Sequence, residues 1–256
     1  MKDPKRLDKG CAALSEVARA LYELDYREPD IYTTGIRHVQ MEGSFGPPVD
    51  IAAPLRGTCA LGLARTNDPQ ALAEVVSLLG DKEAPARLGA VRALATNGGA
   101  AGALVLRFKA LTGDADPEIT AECFSALLNC ERDHALDFVI SFVDSPDPEV
   151  NDAAILALGA SRLPQAIEYL KQKWEQTLGD PRRKTILLAL ATSRDEAAVN
   201  FLVSLIDSAG LSTASEVIAA LAAHKHSERI RQAVSAAVDR RRERPLLDIF
   251  RREFSD

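Results

Sequence analysis

A small residue followed by leucine recurs along this chain at almost constant intervals. The six pairs are Gly62-Leu63, Ala93-Leu94, Ala126-Leu127, Ala157-Leu158, Ala189-Leu190 and Ala220-Leu221. The leucines are separated by 31, 33, 31, 32 and 31 residues. A period of this length is typical of repeats that each contain two helices. We therefore predict a row of stacked helical hairpins in which neighbouring units bury a shared core.

The residues around each recurring leucine have the spacing of a buried helix face, as in Cys59, Ala60 and Leu63. After a short polar break, every unit carries a second apolar stripe at helical spacing. The second stripes are Leu72, Val76 and Leu79; Leu104, Phe108 and Leu111; Leu136, Val139 and Val143; Ile167, Leu170 and Trp174; Val199, Leu202 and Ile206; and Ile230, Val234 and Val238. Each unit is predicted to be a helix, a turn and a second helix, with both stripes in the core.

Pairing the stripes divides the chain into about six units. They cover residues 49–80, 82–113, 116–144, 147–178, 180–209 and 211–242. We predict an all-α solenoid, a superhelix with no β-sheet, over residues 49–242. Residues 1–48 are expected to form an N-terminal helical cap with helices over 6–25 and 29–41. Residues 243–256 are expected to form an amphipathic tail that packs on the last repeat.

Asp-Pro pairs punctuate the predicted turns. They are Asp68-Pro69, Asp116-Pro117, Asp147-Pro148 and Asp180-Pro181. An aspartate side chain accepts hydrogen bonds from free amides of the first helical turn, and proline is tolerated at the first helical position because its missing N–H has no partner there. These pairs predict helix starts, not catalytic acids.

The period and the residues that carry it resemble the HEAT repeat family, in particular the short bacterial HEAT-like repeats also found in phycobilin lyases. The segment from Gly80 through Arg87 to Ala95 is the most similar, and the resemblance covers residues 49–242. It implies a superhelix of about six HEAT-like hairpins.

The family typically repeats an Asp and an Arg that form a charged ladder between units. Asp81 and Arg87 match this pattern, and Arg183 holds the equivalent arginine position. Elsewhere the arginine is replaced, by Thr120, Asn151 and Ala214. The apolar period still predicts the fold without those arginines.

The resemblance implies binding in preference to chemistry, since HEAT proteins are mostly scaffolds and adaptors. Our first hypothesis is a non-enzymatic scaffold that binds a protein partner on the concave face of the solenoid. The alternatives are an enzyme of the phycobilin lyase type and, third, a nucleic-acid-binding protein. No catalytic residue of the family can be transferred, because no active-site motif matches. We expect no cofactor and no metal.

Composition narrows the partners. The 31 Lys and Arg against 37 Asp and Glu give a net charge of -6, so the average field repels nucleic acid and anionic membranes. No segment approaches the roughly 20 apolar residues that span a bilayer. We therefore predict a cytoplasmic protein with a protein partner, without nucleic acid and without a membrane.

The four cysteines contain no C-x-x-C pair; they are Cys11, Cys59, Cys123 and Cys130. Cys59 and Cys123 each stand four residues before a recurring leucine, where other units carry Ala, Ile or Val. They are predicted to be small core residues instead of disulfide partners or metal ligands.

The predicted partner surface follows the second helices, because these usually line the concave face of HEAT arrays. We nominate polar positions that lie off the apolar stripes, with one aromatic residue of a loop that closes one end. These residues are Glu74, Arg107, Asp137, Lys171, Asn200 and Phe45. Beside the stripes, Phe138, Phe142 and Phe201 add apolar surface, which indicates either a peptide groove or, as we favour, a wider packing face.

Segment 37–50 departs most from the repeat and lies near three of the four tyrosines. It is either a recognition surface or, as we favour, a structural cap over the first repeat. Within it, His38 and Glu42 are four residues apart, a spacing that fits either two metal ligands or, in our preferred interpretation, hydrogen-bonding groups.

One basic concentration stands near the C-terminus. It contains Arg240, Arg241, Arg242 and Arg244. Such a patch binds phosphate or an acidic partner, or it is a solvated face at a helix C-terminus, where the helix dipole favours cations. Nearby acidic residues favour the second interpretation.

Overall fold

The computed structural model of this chain describes residues 7–43, 46–66, 68–177 and 182–255. It divides into two units, residues 1–131 and residues 132–256, which we call the N-terminal and C-terminal units. Both are built of helical hairpins, which confirms the predicted all-α solenoid class. The predicted domain boundaries at residues 48/49 and 242/243 stay a prediction.

The N-terminal unit begins with a pair of cap helices and continues with the first hairpins. Its helices are α1 (Ala12–Glu23), α2 (Pro29–Ile36), α3 (Ala53–Ala64), α4 (Ala71–Leu78), α5 (Ala84–Asn97), α6 (Gly99–Thr112) and α7 (Pro117–Cys130). Both cap helices are shorter than predicted. Asp8 fixes the start of α1 by accepting hydrogen bonds from the amides of Ala13 (2.8 Å) and Leu14 (2.9 Å).

The C-terminal unit continues the alternation of first and second helices. Its helices are α8 (Asp133–Ile140), α9 (Pro148–Ser161), α10 (Pro164–Gln176), α11 (Arg182–Thr192), α12 (Glu196–Ser208), α13 (Leu211–Leu221), α14 (Glu228–Arg241) and α15 (Arg244–Glu253). Helix α15 is the predicted amphipathic tail helix; it contacts α13 and α14, and it buries Leu246.

All six recurring leucines are buried in first helices, with at most 2% of their surface exposed. First helices of successive hairpins pack on each other, α3 on α5 and α5 on α7 in the N-terminal unit, and α9 on α11 and α11 on α13 in the C-terminal unit. Gly57 and Gly89 bring α3 and α5 together backbone to backbone, since a methyl group on Gly89 would lie 2.2 Å from the Gly57 Cα. The sequence period therefore located the seam between hairpins correctly.

The second stripes behave differently in the two units. In the C-terminal unit, all twelve predicted second-stripe residues are buried. In the N-terminal unit the prediction is wrong: in α4, Leu72 is exposed and Val76 is only half-buried, and Leu79, directly after α4, is also half-buried. In α6, Leu104, Phe108 and Leu111 are 68%, 67% and 66% exposed.

Both second helices bury a face other than the predicted one, and in α6 the physical reason is that this face consists mostly of small residues. Helix α4 buries Ala71, Val75 and Leu78, and α6 buries Gly102, Ala103, Leu106 and Ala110. In α6 that buried face also follows the helical period, and it lies about 150° around the helix from the predicted stripe. Small residues allow α6 to approach α5 closely, because a methyl group on Gly102 would lie 2.8 Å from the Leu94 carbonyl oxygen.

The expectation of no β-sheet is wrong at one place. Met41–Glu42 (β1) pairs antiparallel with Val49–Asp50 (β2). The chain leaves α2 at Arg37 because segment 37–43 must turn back to hydrogen-bond with β2 before α3 begins, and the predicted helix to residue 41 ends there.

Two of the Asp-Pro pairs begin helices as predicted. Asp116 and Asp147 accept hydrogen bonds from the amides of Glu118 (3.0 Å) and Glu149 (2.9 Å). Asp68 instead holds a turn through the Gln70 amide (2.8 Å), and α4 begins only at Ala71. Asp180-Pro181 lies outside the described residues.

Candidate functional site

The polar residues nominated in the N-terminal unit are already engaged with other side chains. Glu74 forms an ion pair with Arg37. The Arg107 guanidinium donates to Glu131 at 2.6 Å, and a quarter of its side chain is exposed. Phe45 lies outside the described residues. The role of these residues in partner binding stays a prediction.

In the C-terminal unit, Asp137 and Asn200 are exposed. The Lys171 ammonium lies 3.6 Å from Glu168 and 6.0 Å from the centre of the Phe201 ring, with 20% of its side chain exposed. Asp137 and Asn200 are therefore more exposed to a partner than Lys171 is, and the role of all three residues in binding also stays a prediction.

Two arginines of the basic cluster near the C-terminus form ion pairs within the C-terminal unit. Arg240 pairs with Asp207 at 2.7 Å, and Arg241 pairs with Glu243 and donates to the carbonyl of Ala209 at 2.6 Å. Arg242 directly follows α14, and Arg244 begins α15; both are exposed. This arrangement agrees with a solvated helix end.

The described part of segment 37–50 is tied into the cap by hydrogen bonds. The buried Gln40 side chain donates to the Asp8 carbonyl and to Glu42, both at 2.8 Å. His38 lies beyond α2 and hydrogen-bonds Gln40 at 3.2 Å, whereas Glu42 lies in β1. His38 and Glu42 therefore do not share one helix face. These contacts favour the structural interpretation of the segment.

A mostly apolar groove of about 500 Å³ lies between α1, α2 and α3. Val17 and Ile31 are exposed in its walls, and the Cys59 side chain is buried in its lining. Burial raises the pKa of the Cys59 thiol to about 12. Among the described residues of segment 37–50, His38 is the one that lines this groove.

Helix α6 presents the clearest candidate surface. Apart from Gly99 at its start, its exposed positions fall within an arc of roughly 120° at about 100° per residue, so they form one side of the helix. We call this side the α6 face; it consists of Ala100, Ala101, Leu104, Phe108, Leu111 and Thr112. Exposed apolar side chains that are contiguous mark interaction surfaces more often than scattered ones do.

The α6 face carries no charge, because the charged residues of α6 are drawn into ion pairs. Arg107 pairs with Glu131. Lys109 pairs with Asp114 at 2.7 Å and is only 18% exposed. A partner can cover an uncharged apolar face without burying an unpaired charge.

An Asp–Arg ladder is the main buried polar structure of the N-terminal unit. Arg56, which is 4% exposed at its side chain, donates to Asp50 at 2.7 Å and to both carboxylate oxygens of Asp81 at 2.8 and 2.9 Å. Arg87 donates in the same two-pronged way to Asp114 at 2.9 and 2.6 Å. Paired donors of this kind fix the spacing and register of the turns that they join.

The ladder shifts the pKa values of its carboxylates. Burial by itself would raise the pKa of Asp114, but hydrogen bonds from Arg87 and Lys109 outweigh it and hold the pKa well below its usual value. The pKa of Asp50 is also lowered, because the Gln40 and Ala52 amides and Arg56 outweigh its burial.

Sequence reasoning missed Arg56, although the signal was present. Arg56 stands seven residues before Leu63, as Arg87 does before Leu94. The paired aspartates stand thirteen residues before recurring leucines, at Asp50, Asp81 and Asp114. Two offsets measured from the same leucine would have identified the whole ladder.

Arg183 holds the ladder offset in the C-terminal unit without a ladder contact among the described residues. Its guanidinium lies 3.6 Å from the centre of the Trp174 ring, and its Nε is buried with no hydrogen-bond partner in the described part of the chain. In that unit the aspartate offset is occupied by Ser145, Thr177 and Ser208. Among the described residues, the match of Arg183 to the family pattern is therefore one of position only.

Comparison with known proteins supports the repeat assignment. Residues 104–191 match the family model for HEAT repeats. The predicted resemblance is confirmed over this region, which begins within α6 at Leu104 and extends into α11.

A solved structure similar to this chain comes from the complex of CpcE and CpcF of phycocyanin lyase from Nostoc sp. PCC7120. The two chains are 16% identical, the match covers 90% of this chain and 91% of that chain, and the TM-score is 0.43. None of the curated proteins matches. Among the described helices, none has the length and apolar character required to cross a membrane.

Proposed function

We propose that this HEAT-repeat chain is a non-enzymatic scaffold that binds a protein partner through exposed faces of its second helices, with the α6 face as the main anchor. The observation that supports this proposal is that Leu104, Phe108 and Leu111 lie on one side of a single helix and are each about two-thirds exposed. Side chains spaced four and three residues apart are the pattern by which apolar helix faces engage a partner.

The energetics favour this use of the α6 face. Covering apolar surface contributes about 25 cal/mol per Å², and the exposed parts of two leucines and a phenylalanine are the largest such contribution on α6. Hot spots of protein interfaces are a few bulky residues surrounded by weaker contacts. The nominated polar residues, Glu74, Arg107, Asp137, Lys171 and Asn200, are proposed as weaker contacts, whereas the apolar line supplies the affinity.

The lyase and nucleic-acid hypotheses stay alternatives without a supporting contact. The one basic concentration is partly paired internally, through Arg240 with Asp207 and Arg241 with Glu243. The exposed apolar side chains of α6 therefore support the scaffold hypothesis, and no comparable contact among the described residues supports the other two.

The test compares capture of a partner by two variants. Leu104→Ser, Phe108→Ser and Leu111→Ser together remove the α6 anchor, while Leu24→Ser with Val39→Ser removes equally exposed apolar residues from the cap, where the exposures are 79% and 59%. A protein recovered from the native host in stoichiometric amount by the wild type is purified, and its affinity for each variant is measured.

The triple serine variant should bind that partner about 100-fold or more weakly, and the cap variant should bind within about threefold of the wild type. A circular dichroism melt confirms that both fold. Equal affinity of wild type and triple variant overturns the proposal, as does the absence of any partner, whether a different protein or a second copy of this chain. A combined Arg107→Gln, Asp137→Asn and Lys171→Gln variant then tests the polar contacts, for which we expect a smaller loss.

A further inference from the structure

Side-chain size changes along the α6 face. Its N-terminal part is small, with Ala100 and Ala101, and its C-terminal part is bulky, with Phe108 and Leu111. Leu104 stands between them, four residues after Ala100 and four residues before Phe108. This face is therefore asymmetric from end to end and balanced about Leu104.

A face with this gradient is complementary to itself when reversed. Two antiparallel copies related by a twofold axis at Leu104 would place Ala100 of each copy opposite Phe108 of the other, with the two Leu104 side chains in contact at the axis. Each bulky ring then meets a small residue, which permits the interaxial distance of 8–10 Å typical of packed helices. A parallel pair would instead oppose Phe108 to Phe108 and leave a gap at Ala100.

Charge is consistent with self-association at this place. The whole chain carries a net charge of -6, so most surfaces of two copies repel each other. The α6 face is uncharged, because Arg107 and Lys109 are held in ion pairs with Glu131 and Asp114. No like charges would meet across the axis.

We infer that the α6 face binds the α6 face of a second copy of this chain, with the two helices antiparallel. This inference rests on the proposed function, since it names the occupant of the proposed anchor. The contact is isologous, as closed twofold dimers require. A helix of 14 residues is about 21 Å long, and such a contact buries less than the roughly 1,200 Å² of stable complexes, so the dimer is weak, with a dissociation constant in the micromolar range or above.

The experiment is sedimentation of the full chain from low micromolar to near-millimolar concentration. The average mass should rise from 27.6 kDa toward twice that value. Leu104→Glu should weaken association by about 100-fold or more, because it brings two carboxylates together at the axis. Leu24→Glu, at an equally exposed apolar position of the cap, should leave association unchanged.

A size exchange tests the antiparallel register. Ala100→Phe alone opposes two rings and Phe108→Ala alone opposes two small residues, so each should weaken association by about tenfold. The variant that carries both substitutions again opposes one ring to one small side chain in both halves, and it should associate within about threefold of the wild type. A different partner keeps its own shape and would not give this rescue.

Each outcome bears on the inference. A chain that stays monomeric at near-millimolar concentration overturns it, as does a dimer that Leu24→Glu weakens equally or that the double variant does not restore. If the chain is monomeric while the triple serine variant loses a different protein, the proposed function stands and only the identity of the occupant is wrong. If neither experiment finds binding at α6, both fail.

Discussion

The two units share a period but differ in what they place inside and outside. The N-terminal unit encloses an Asp–Arg ladder and exposes Leu104, Phe108 and Leu111. The C-terminal unit has small hydroxyl residues at the aspartate offset and buries every predicted second-stripe residue. The common repeat length therefore determines how the first helices pack on each other. Which face of each second helix is buried differs from hairpin to hairpin.

The difference has a packing origin. A second helix with Gly102, Ala103 and Ala110 on one side can lie close to its neighbour, and its bulky residues then point elsewhere. A second helix with Ile167, Leu170 and Trp174 as its largest apolar side chains buries those instead. In both helices, the buried face is the one that packs more densely against the neighbouring helices.

Each unit contains its own natural probe. The single tryptophan, Trp174, lies in the C-terminal unit, and all four cysteines lie in the N-terminal unit. Cys11, Cys59 and Cys123 are buried and Cys130 is exposed. Tryptophan fluorescence and labelling of the buried thiols during urea unfolding therefore report on separate parts of the chain.

The largest effect is expected for Arg56→Met. Removing this guanidinium leaves Asp50 and Asp81 partly buried without their cation, and breaking such a buried pair costs about 3–5 kcal/mol in the free energy of unfolding. Thiol labelling of Cys59 in urea measures the loss. Arg240→Met breaks an Arg–Asp pair of similar length that is exposed, and it should give no resolvable change.

A loss below about 1 kcal/mol for Arg56→Met would show that the ladder is energetically neutral. The presence of the ladder in the N-terminal unit, and of hydroxyl residues at the equivalent positions of the C-terminal unit, would then make no difference to stability. In that case only the exposed stripe would distinguish the units.

The next effect separates the two faces of α6. Leu106→Ala removes a fully buried side chain and should cost about 2–5 kcal/mol, whereas Leu104→Ala removes an exposed one and should change stability by less than about 0.5 kcal/mol. Leu170→Ala in α10 serves as the matched buried change in the C-terminal unit. A larger loss for Leu104→Ala than for Leu106→Ala would show that the predicted stripe is the buried face of α6.

The smallest effect is a pH dependence. The pKa values of Asp50 and Asp114 are lowered in the folded chain, so their contribution to stability is present above the unfolded aspartate pKa of about 3.9 and is lost as the pH falls through their folded values. Urea unfolding followed by thiol labelling should show a fall in stability of the N-terminal unit below about pH 4.

Asp114→Asn should reduce this fall, because one of the two carboxylates is gone. The pKa of Asp144 in the C-terminal unit is also lowered, by Lys173 first, but 61% of its side chain is exposed and solvent screens the pair. Tryptophan fluorescence should therefore show a weaker dependence. Identical pH profiles for wild type and Asp114→Asn would contradict the role of the ladder.

By itself, the sequence determined the period, the hairpin architecture and the six buried leucines. These depend on spacing along one helix, which the order of residues specifies directly. The offsets from those leucines also contained the ladder, including Arg56. The HEAT resemblance added the kind of fold and an expectation of binding.

Only the tertiary structure decided which side of α4 and α6 is buried, and therefore that Leu104, Phe108 and Leu111 form a surface. In α6, two faces have the same helical spacing, one of small residues and one of large residues, and a hydrophobicity pattern favours the larger. Burial is decided instead by how closely the neighbouring helix can approach, and that distance depends on residues such as Leu94 and Gly102 that meet only after the chain folds.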